Sequence, residues 1–209
     1  MIKNISNLGD AAVYCDFGSE VNEAINSNVI DYFDHLSKLL KEEKIKGITN
    51  LTPSYNKLIV SFDLNLTNYK ETKDLIENLI IKRNIKKDNK KIEIPVCCEK
   101  EYGLDFERLN TKLNTNEDEI LKLFFNKEYF CYMTGFIAGM PFLGDLNEKI
   151  RCDRLETPRV KVPKGSVGIT EQFANIYTFE SPGGWNIIGN TPLKIFDEVN
   201  LAEPSLVKP

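Results

Sequence analysis

Residues 135–197 most constrain how this chain can fold, because glycine and proline interrupt them at short intervals. They contain the segments GFIAGMPFLGDL, TPRVKVPKGSVGI and IYTFESPGGWNIIGNTPLKIFD. Proline fixes φ and glycine adopts conformations that other residues avoid, so the path of the backbone is tightly specified here. The short apolar runs between them predict an antiparallel barrel or sandwich. The strand candidates are 129–133, 160–162, 167–169, 175–179, 185–188 and 193–196.

The first 88 residues predict a small α+β domain. Two short strands are followed by a long amphipathic helix that opens at Ser19, then by two more strands and a second helix. The predicted strands are 2–6, 11–17, 45–51 and 57–62. This ββαββα order suits two helices laid on one face of a four-stranded antiparallel sheet, a two-layer domain.

The polar, basic segment 82–91 predicts a linker, so we place one domain at 1–88 and a second at 89–209. A strand at 92–96 opens the second domain, and it leaves open a βαββαβ alternative in which that strand pairs with the first sheet. Two helices follow at 105–113 and 116–125, the second capped by Thr115, before the antiparallel strands begin.

Composition excludes several classes of function. The 209 residues carry a net charge of −4 and 42% hydrophobic residues, which suits a globular protein and disfavours nucleic acid as a partner. No apolar run is long enough for a membrane span, and the N-terminal MIKNISNLGD lacks a signal core, so we expect a cytoplasmic protein without a membrane partner. Five cysteines without CxxC spacing predict reduced thiols, not a disulfide framework or a zinc site.

The single histidine limits the chemistry that this chain can perform. His35 lies two residues after Phe33 in the first predicted helix, about 200° around its axis, and therefore points away from the core. This placement disfavours a histidine-activated nucleophile and a histidine metal site, and no metal site is predicted. No P-loop sequence is present. A site here has to use cations, carboxylates, hydroxyls and backbone.

The segment TPRVKVPKGS is the first candidate for such a site. Arg159 and Lys161 share one face of a predicted strand, and Lys164 follows at the next turn. These charges predict an anion site. The alternative is a solvated hairpin whose basic residues face water.

The segment ESPGGW is the second candidate. Pro182 and Gly183 fit a type II turn, and Gly184 permits a close approach of the backbone before Trp185. An apolar wall beside a carboxylate raises its pKa, so Glu180 is a candidate general base. The alternative is a tight barrel corner with Trp185 in the core.

The segment GFIAGMPFLGDL offers an apolar surface. Phe136 and Phe142 lie in a glycine-containing loop that predicts a lid or pocket rim. A crossover that plugs the end of the barrel is the alternative.

Taken in order, these three segments resemble the family of the 5-oxoprolinase B subunit, also called allophanate hydrolase subunit 1, one branch of which inhibits a sporulation histidine kinase. LGDAAVYCDFG and IEIPVCC also match, so the resemblance covers nearly the whole chain. It implies a cyclophilin-like β-barrel in the second domain. It further implies that the chain works with subunits A and C in the ATP-dependent opening of 5-oxoproline to glutamate, with ATP bound by the complex and not by this chain alone.

The resemblance also implies site residues. The matching motif positions include Thr157, Pro158 and Arg159, then Pro163, Gly165 and Ser166, then residues 180–185. We expect Glu180, Arg159 and Lys161 to be catalytic. We expect the substrate or anion site to contain Thr157, Lys164, Ser166, Ser181, Gly183, Gly184 and Trp185, with Phe136 and Phe142 at its rim.

Two departures from the family pattern bear on specificity. Phe173 and Ala174 stand where the family carries polar residues, which predicts a changed substrate or lost catalysis. The sequence ends at Lys208 and Pro209, where relatives continue with another strand, so we expect an open barrel edge.

Three functions remain open from the sequence. The first is an enzyme subunit that is inactive alone and shares a composite active site. The second is a regulatory protein that binds and inhibits a histidine kinase. The third is half of a urea- or allophanate-type carboxyltransferase or hydrolase, since related domains form half of the carboxyltransferase unit of urea carboxylase. The fold alone does not separate them.

Overall fold

The structure, a computed structural model, describes residues 1–81 and 90–209. The chain divides into two compact units, Met1–Asn89 and Lys90–Pro209. Of the predicted linker, residues 82–89 lie outside the described residues.

Over residues 1–81, the first unit forms a four-stranded antiparallel sheet with two helices. Its elements in chain order are β1 (Asn4–Leu8), β2 (Ala12–Asp16), α1 (Glu23–Lys41), β3 (Ile48–Pro53), β4 (Lys57–Phe62) and α2 (Tyr69–Glu77). The strand order across the sheet is β1-β2-β4-β3. Burial alternates along β2 and β4, as expected for a sheet with one covered face.

The core of the first unit lies between that face and the helices. Val13 and Cys15 of β2 pack with Leu58 and Val60 of β4, and Leu36 of α1 lies in the same cluster. All five side chains are fully buried. Burial of apolar surface against the sheet therefore stabilises the helices.

Two helices begin later than the sequence predicted. Asn22, not Ser19, precedes α1, and its side chain accepts a hydrogen bond from the Ile25 N–H at 2.9 Å. In the second unit, Asn116 takes the place predicted for Thr115 and accepts from Glu119 in the same way. Asparagine caps as well as serine or threonine does, which explains both shifts.

The second unit contains two α-helices, a short 3₁₀ helix at Glu148–Ile150 and two antiparallel sheets. Its α-helices are α3 (Phe106–Leu113) and α4 (Glu117–Phe125). The strands are β5 (Phe130–Thr134), β6 (Pro141–Gly144), β7 (Arg159–Val162), β8 (Ser166–Thr170), β9 (Phe173–Ile176), β10 (Ser181–Gly183) and β11 (Asn186–Asn190). One sheet has the order β11-β8-β9-β6-β5, and β10 pairs with β7 in the other.

The antiparallel architecture predicted for this unit is confirmed, but the pairings do not close a barrel. Within the described residues, β11 and β5 are the two edges of the five-stranded sheet, and the remaining two strands pair separately. The mixed α and β composition holds for the chain as a whole.

Two predicted strands were wrong, and one alternative interpretation is excluded. Residues 92–96 form no strand, and Cys97 pairs through both backbone groups with Asn190 of β11. Residues 193–196 form no strand either, since Phe196 makes only an isolated bridge to Ser205. The segment GFIAGMPFLGDL is a hairpin and not a crossover: β6 pairs directly with β5, and the Gly135 N–H donates to the Met140 carbonyl at 3.0 Å.

The described helices do not have the properties of membrane spans. Across residues 1–81 and 90–209, none of them has both the length and the apolar character needed to cross a bilayer.

Substitution of Leu36 tests the core of the first unit. Leu36 is fully buried, so Leu36→Ala should lower the free energy of unfolding by about 2–5 kcal/mol through lost burial and a residual cavity. Urea denaturation followed by circular dichroism measures the change. Lys38→Ala, at a 71% exposed side chain on the same helix, should change it by less than about 0.5 kcal/mol.

Candidate functional site

A buried carboxylate joins the motifs that the sequence analysis singled out. Asp105, directly before α3, is 5% exposed. Its Oδ1 lies 2.6 Å from Nη2 of Arg159, and its Oδ2 accepts from the Ile187 N–H at 2.6 Å. Asp105 thereby binds two residues that lie 54 and 82 positions later in the chain.

A second polar group on α3 holds the chain beside that point. Arg108 donates through Nη1 to the Asn186 side chain and, at 3.2 Å, to the Cys152 sulfur. Its Nη2 donates to the Arg154 carbonyl at 3.2 Å, and Asn186 in turn donates to the Asp153 carbonyl at 2.9 Å. Residues 152–154 are thus fixed between α3 and β11.

Arg159 is only partly paired. Its Nη2 is bound to Asp105, whereas its Nη1 is buried and has no hydrogen-bond partner. The side chain is 27% exposed. A guanidinium with one arm fixed and the other unpaired can donate to an anionic ligand, which keeps the predicted anion site at Arg159 physically reasonable.

Lys161 and Glu180 are not joined to that pair. They form their own ion pair at 2.9 Å, and their side chains are 73% and 56% exposed. The apolar enclosure on which the predicted general-base role of Glu180 depended is therefore not formed in this arrangement. Catalytic roles for Lys161 and Glu180 stay predictions.

Trp185 occupies the core position that was its alternative interpretation. It is 6% exposed, and its ring makes an edge contact with Phe142 at a centroid distance of 5.6 Å. The Arg154 guanidinium lies 5.9 Å from the ring centroid. Phe136, the other predicted rim residue, is 69% exposed at the hairpin tip with φ +67°.

The predicted type II turn in ESPGGW was wrong. Residues 181–183 form strand β10, and Gly183 does not have the positive φ that such a turn requires. Gly183 pairs with Arg159, and a Cβ at Gly183 would lie 2.2 Å from the Tyr177 hydroxyl oxygen. The close approach expected at Gly184 occurs at Gly183 instead, since a Cβ at Gly184 would find its nearest neighbour at 3.5 Å.

The Tyr177 hydroxyl lies against Gly183 and is influenced by the charges of Arg154 and Arg159. It is 1% exposed, and burial raises the pKa of its hydroxyl, while the positive charges of Arg154 and Arg159 act in the opposite direction. Its hydroxyl therefore stays neutral near pH 7, close to two guanidinium groups.

The other predicted site residues are dispersed around this centre. Thr157 is exposed, and Lys164 places its Nζ 5.3 Å from the centroid of the Phe179 ring. Ser166 is 2% exposed, and Ser181 is 9% exposed with its hydroxyl buried and unpaired.

Burial opposes thiolate formation at three of the five cysteines. None of the five forms a disulfide. Burial raises the pKa of Cys15 and Cys131 to about 12 and that of Cys98 to about 11. These shifts oppose thiolate formation. In the described part of the chain, no group of three or more His, Cys, Asp or Glu side chains is placed to hold a metal ion.

Sequence reasoning missed the residues that organise the site. Asp105 and Arg108 lie at the start of a predicted helix, where an acidic residue is explained equally well as a cap. Their contacts join residues far apart in the chain and leave no local signal in the sequence.

Comparison with known proteins agrees with this architecture. The family described as carboxyltransferase domain, subdomain C and D, matches residues 3–207. A Bacillus subtilis protein named as the B subunit of 5-oxoprolinase is 32% identical over 208 residues, which cover 92% of this chain and 83% of that protein. A Haemophilus influenzae protein of the same name is 43% identical over 117 residues, which cover 56% of this chain and 54% of that protein.

A solved structure shows the same fold. The crystal structure of TTHA0988 superposes with a TM-score of 0.81 at 26% identity, over 96% of this chain. The chain spans 38% of the length of TTHA0988.

A pair of glycine substitutions tests the packing beneath β10. Gly183→Ala forces a methyl group against the Tyr177 hydroxyl, so we expect a loss of about 1–3 kcal/mol in the free energy of unfolding. Gly184→Ala is the matched control and should cost clearly less, because its methyl group meets only ordinary contacts. Chemical denaturation followed by fluorescence of Trp185, the single tryptophan, measures both. Equal effects would contradict the close approach at Gly183.

Proposed function

Because the chain belongs to the carboxyltransferase-domain family of subdomains C and D, in which its relatives are named as the B subunit of 5-oxoprolinase, we propose that it is the B subunit of an ATP-dependent 5-oxoprolinase complex. The complex adds water across the lactam C–N bond of 5-oxoproline and releases glutamate. In this proposal the chain contributes part of a composite active site and is inactive alone.

The unpaired Nη1 of Arg159 is the observation that carries the proposed role of this chain. 5-Oxoproline and glutamate both carry a carboxylate, and a guanidinium is the side chain best suited to bind one. Burial of an unpaired N–H is costly, and a ligand oxygen placed there removes that cost. We assign Arg159 to an anionic group of the substrate or of a phosphorylated intermediate.

The exposed pair of Lys161 and Glu180 belongs to the part of the site that partners complete. Two charges that are 73% and 56% exposed lack the dry surroundings in which such groups act strongly. Contact with subunits A and C would cover them, and ATP would be bound by the assembled complex. We also propose that the two sheets of the second unit together correspond to an open cyclophilin-like barrel.

Reconstitution tests the proposed function. Purified chain is mixed with subunits A and C, and ATP hydrolysis is measured with and without 5-oxoproline. We expect hydrolysis that depends on 5-oxoproline and requires all three proteins. Absence of that stimulation, together with inhibition of histidine kinase autophosphorylation by this chain, would establish the regulatory alternative instead.

Replacement of Arg159 tests the anion site within the complex. Arg159→Gln removes the charge and keeps a hydrogen-bonding group, so we expect kcat/KM for 5-oxoproline to fall about 100-fold. Lys122→Gln is the control, because that side chain is 74% exposed on α4. The assignment fails if both variants retain the activity of the unaltered complex.

A further inference from the structure

Asp105 stands where a helix-capping residue is expected but does not cap its helix. The side chains of Asn22, Asn68 and Asn116 each accept a backbone N–H of the first turn of α1, α2 and α4. Asp105 precedes α3 in the same way, yet its side chain makes no capping hydrogen bond. Such a cap contributes about 1 kcal/mol, so the carboxylate is diverted from a favourable local role.

Both carboxylate oxygens serve distant segments instead. One is bound to Arg159 and the other to the Ile187 N–H, each at 2.6 Å. At 5% exposure, the negative charge has to be compensated inside the protein. Arg159 provides that compensation, and the Ile187 N–H fixes the direction in which the carboxylate points.

The contact with Asp105 limits the orientations open to Arg159. An arginine held at one terminal nitrogen cannot rotate its planar guanidinium freely, so the direction of the second terminal nitrogen is also set. That second nitrogen is the buried, unpaired Nη1. Gly183 pairs with Arg159 from the neighbouring strand, and the Tyr177 hydroxyl lies against Gly183.

We propose that Asp105 is a positioning residue, which holds the partly exposed guanidinium of Arg159 in the orientation that binds the substrate anion. The inference rests on the proposed function for the identity of that anion as the 5-oxoproline carboxylate. Asp105 itself does not touch the substrate. Its contribution is to restrict the guanidinium before the ligand arrives, which lowers the entropic cost of binding.

The orientation of Arg159 is tested directly in the full chain. In ¹⁵N-detected NMR of its guanidinium, we expect separate Nη1 and Nη2 signals, because the bond between Nη2 and Asp105 slows rotation about Nε–Cζ. Asp105→Asn should average them. Asp118→Asn is the matched control, since it makes the same chemical change at an exposed position on α4. Averaged Nη signals in the unaltered protein would overturn the proposal without recourse to any variant.

A double-mutant cycle in the reconstituted complex tests the consequence for substrate. Asp105→Asn should lower kcat/KM for 5-oxoproline about 10-fold, mainly through a higher KM. If Asp105 acts through Arg159, the double variant with Arg159→Gln should match Arg159→Gln alone within about twofold. Additive losses would mean a general structural role through Ile187 and would overturn the proposal.

The two experiments separate the failure of this inference from that of the proposed function. Absence of 5-oxoproline-dependent hydrolysis in the unaltered complex contradicts the proposed function, and the NMR comparison then decides the orientation of Arg159 by itself. Normal activity in the unaltered complex with an additive cycle contradicts only the positioning role.

Discussion

A carboxylate that is almost fully buried has to be neutralised and hydrogen-bonded, and the arrangement of the second unit follows from how Asp105 meets that requirement. Its two oxygens reach an arginine in β7 and a backbone N–H in β11. Removal of either partner would leave a buried group unsatisfied, at a cost of about 1–3 kcal/mol or more. Asp105 therefore constrains the start of α3 relative to Arg159 of β7 and Ile187 of β11.

The sequence predicted some of the regular elements, because those depend on local patterns. The limits of β4 at 57–62 were predicted to the residue, since alternation of apolar and polar side chains there matches a half-buried strand. The helix starts were misplaced because several residues near each start can cap. The strands predicted at 92–96 and 193–196 failed because a strand requires a partner, and backbone pairing is decided by the tertiary fold.

The site could be predicted only in part, since its key contacts join residues far apart in the chain. Arg159 was identified from its segment, but its pairing with Asp105, 54 residues earlier, leaves no local pattern. The type II turn was a reasonable inference from Pro182 and Gly183, yet pairing with β7 extends the backbone there. Glu180 was expected beside an apolar wall, but the wall belongs to Trp185 and Phe142, which pack against each other.

The charged groups of this region differ in whether their interactions are already satisfied. Asp105 and Arg108 are committed to contacts within the second unit and define its shape. Arg159 is paired through one of its two terminal nitrogens. Lys161 and Glu180 form only a solvated ion pair, which contributes about 0–1 kcal/mol to the free energy of unfolding. An active site shared between subunits requires both kinds of charged group. The fixed groups set the geometry, and the electrostatic interactions of the exposed groups become stronger when a partner excludes water.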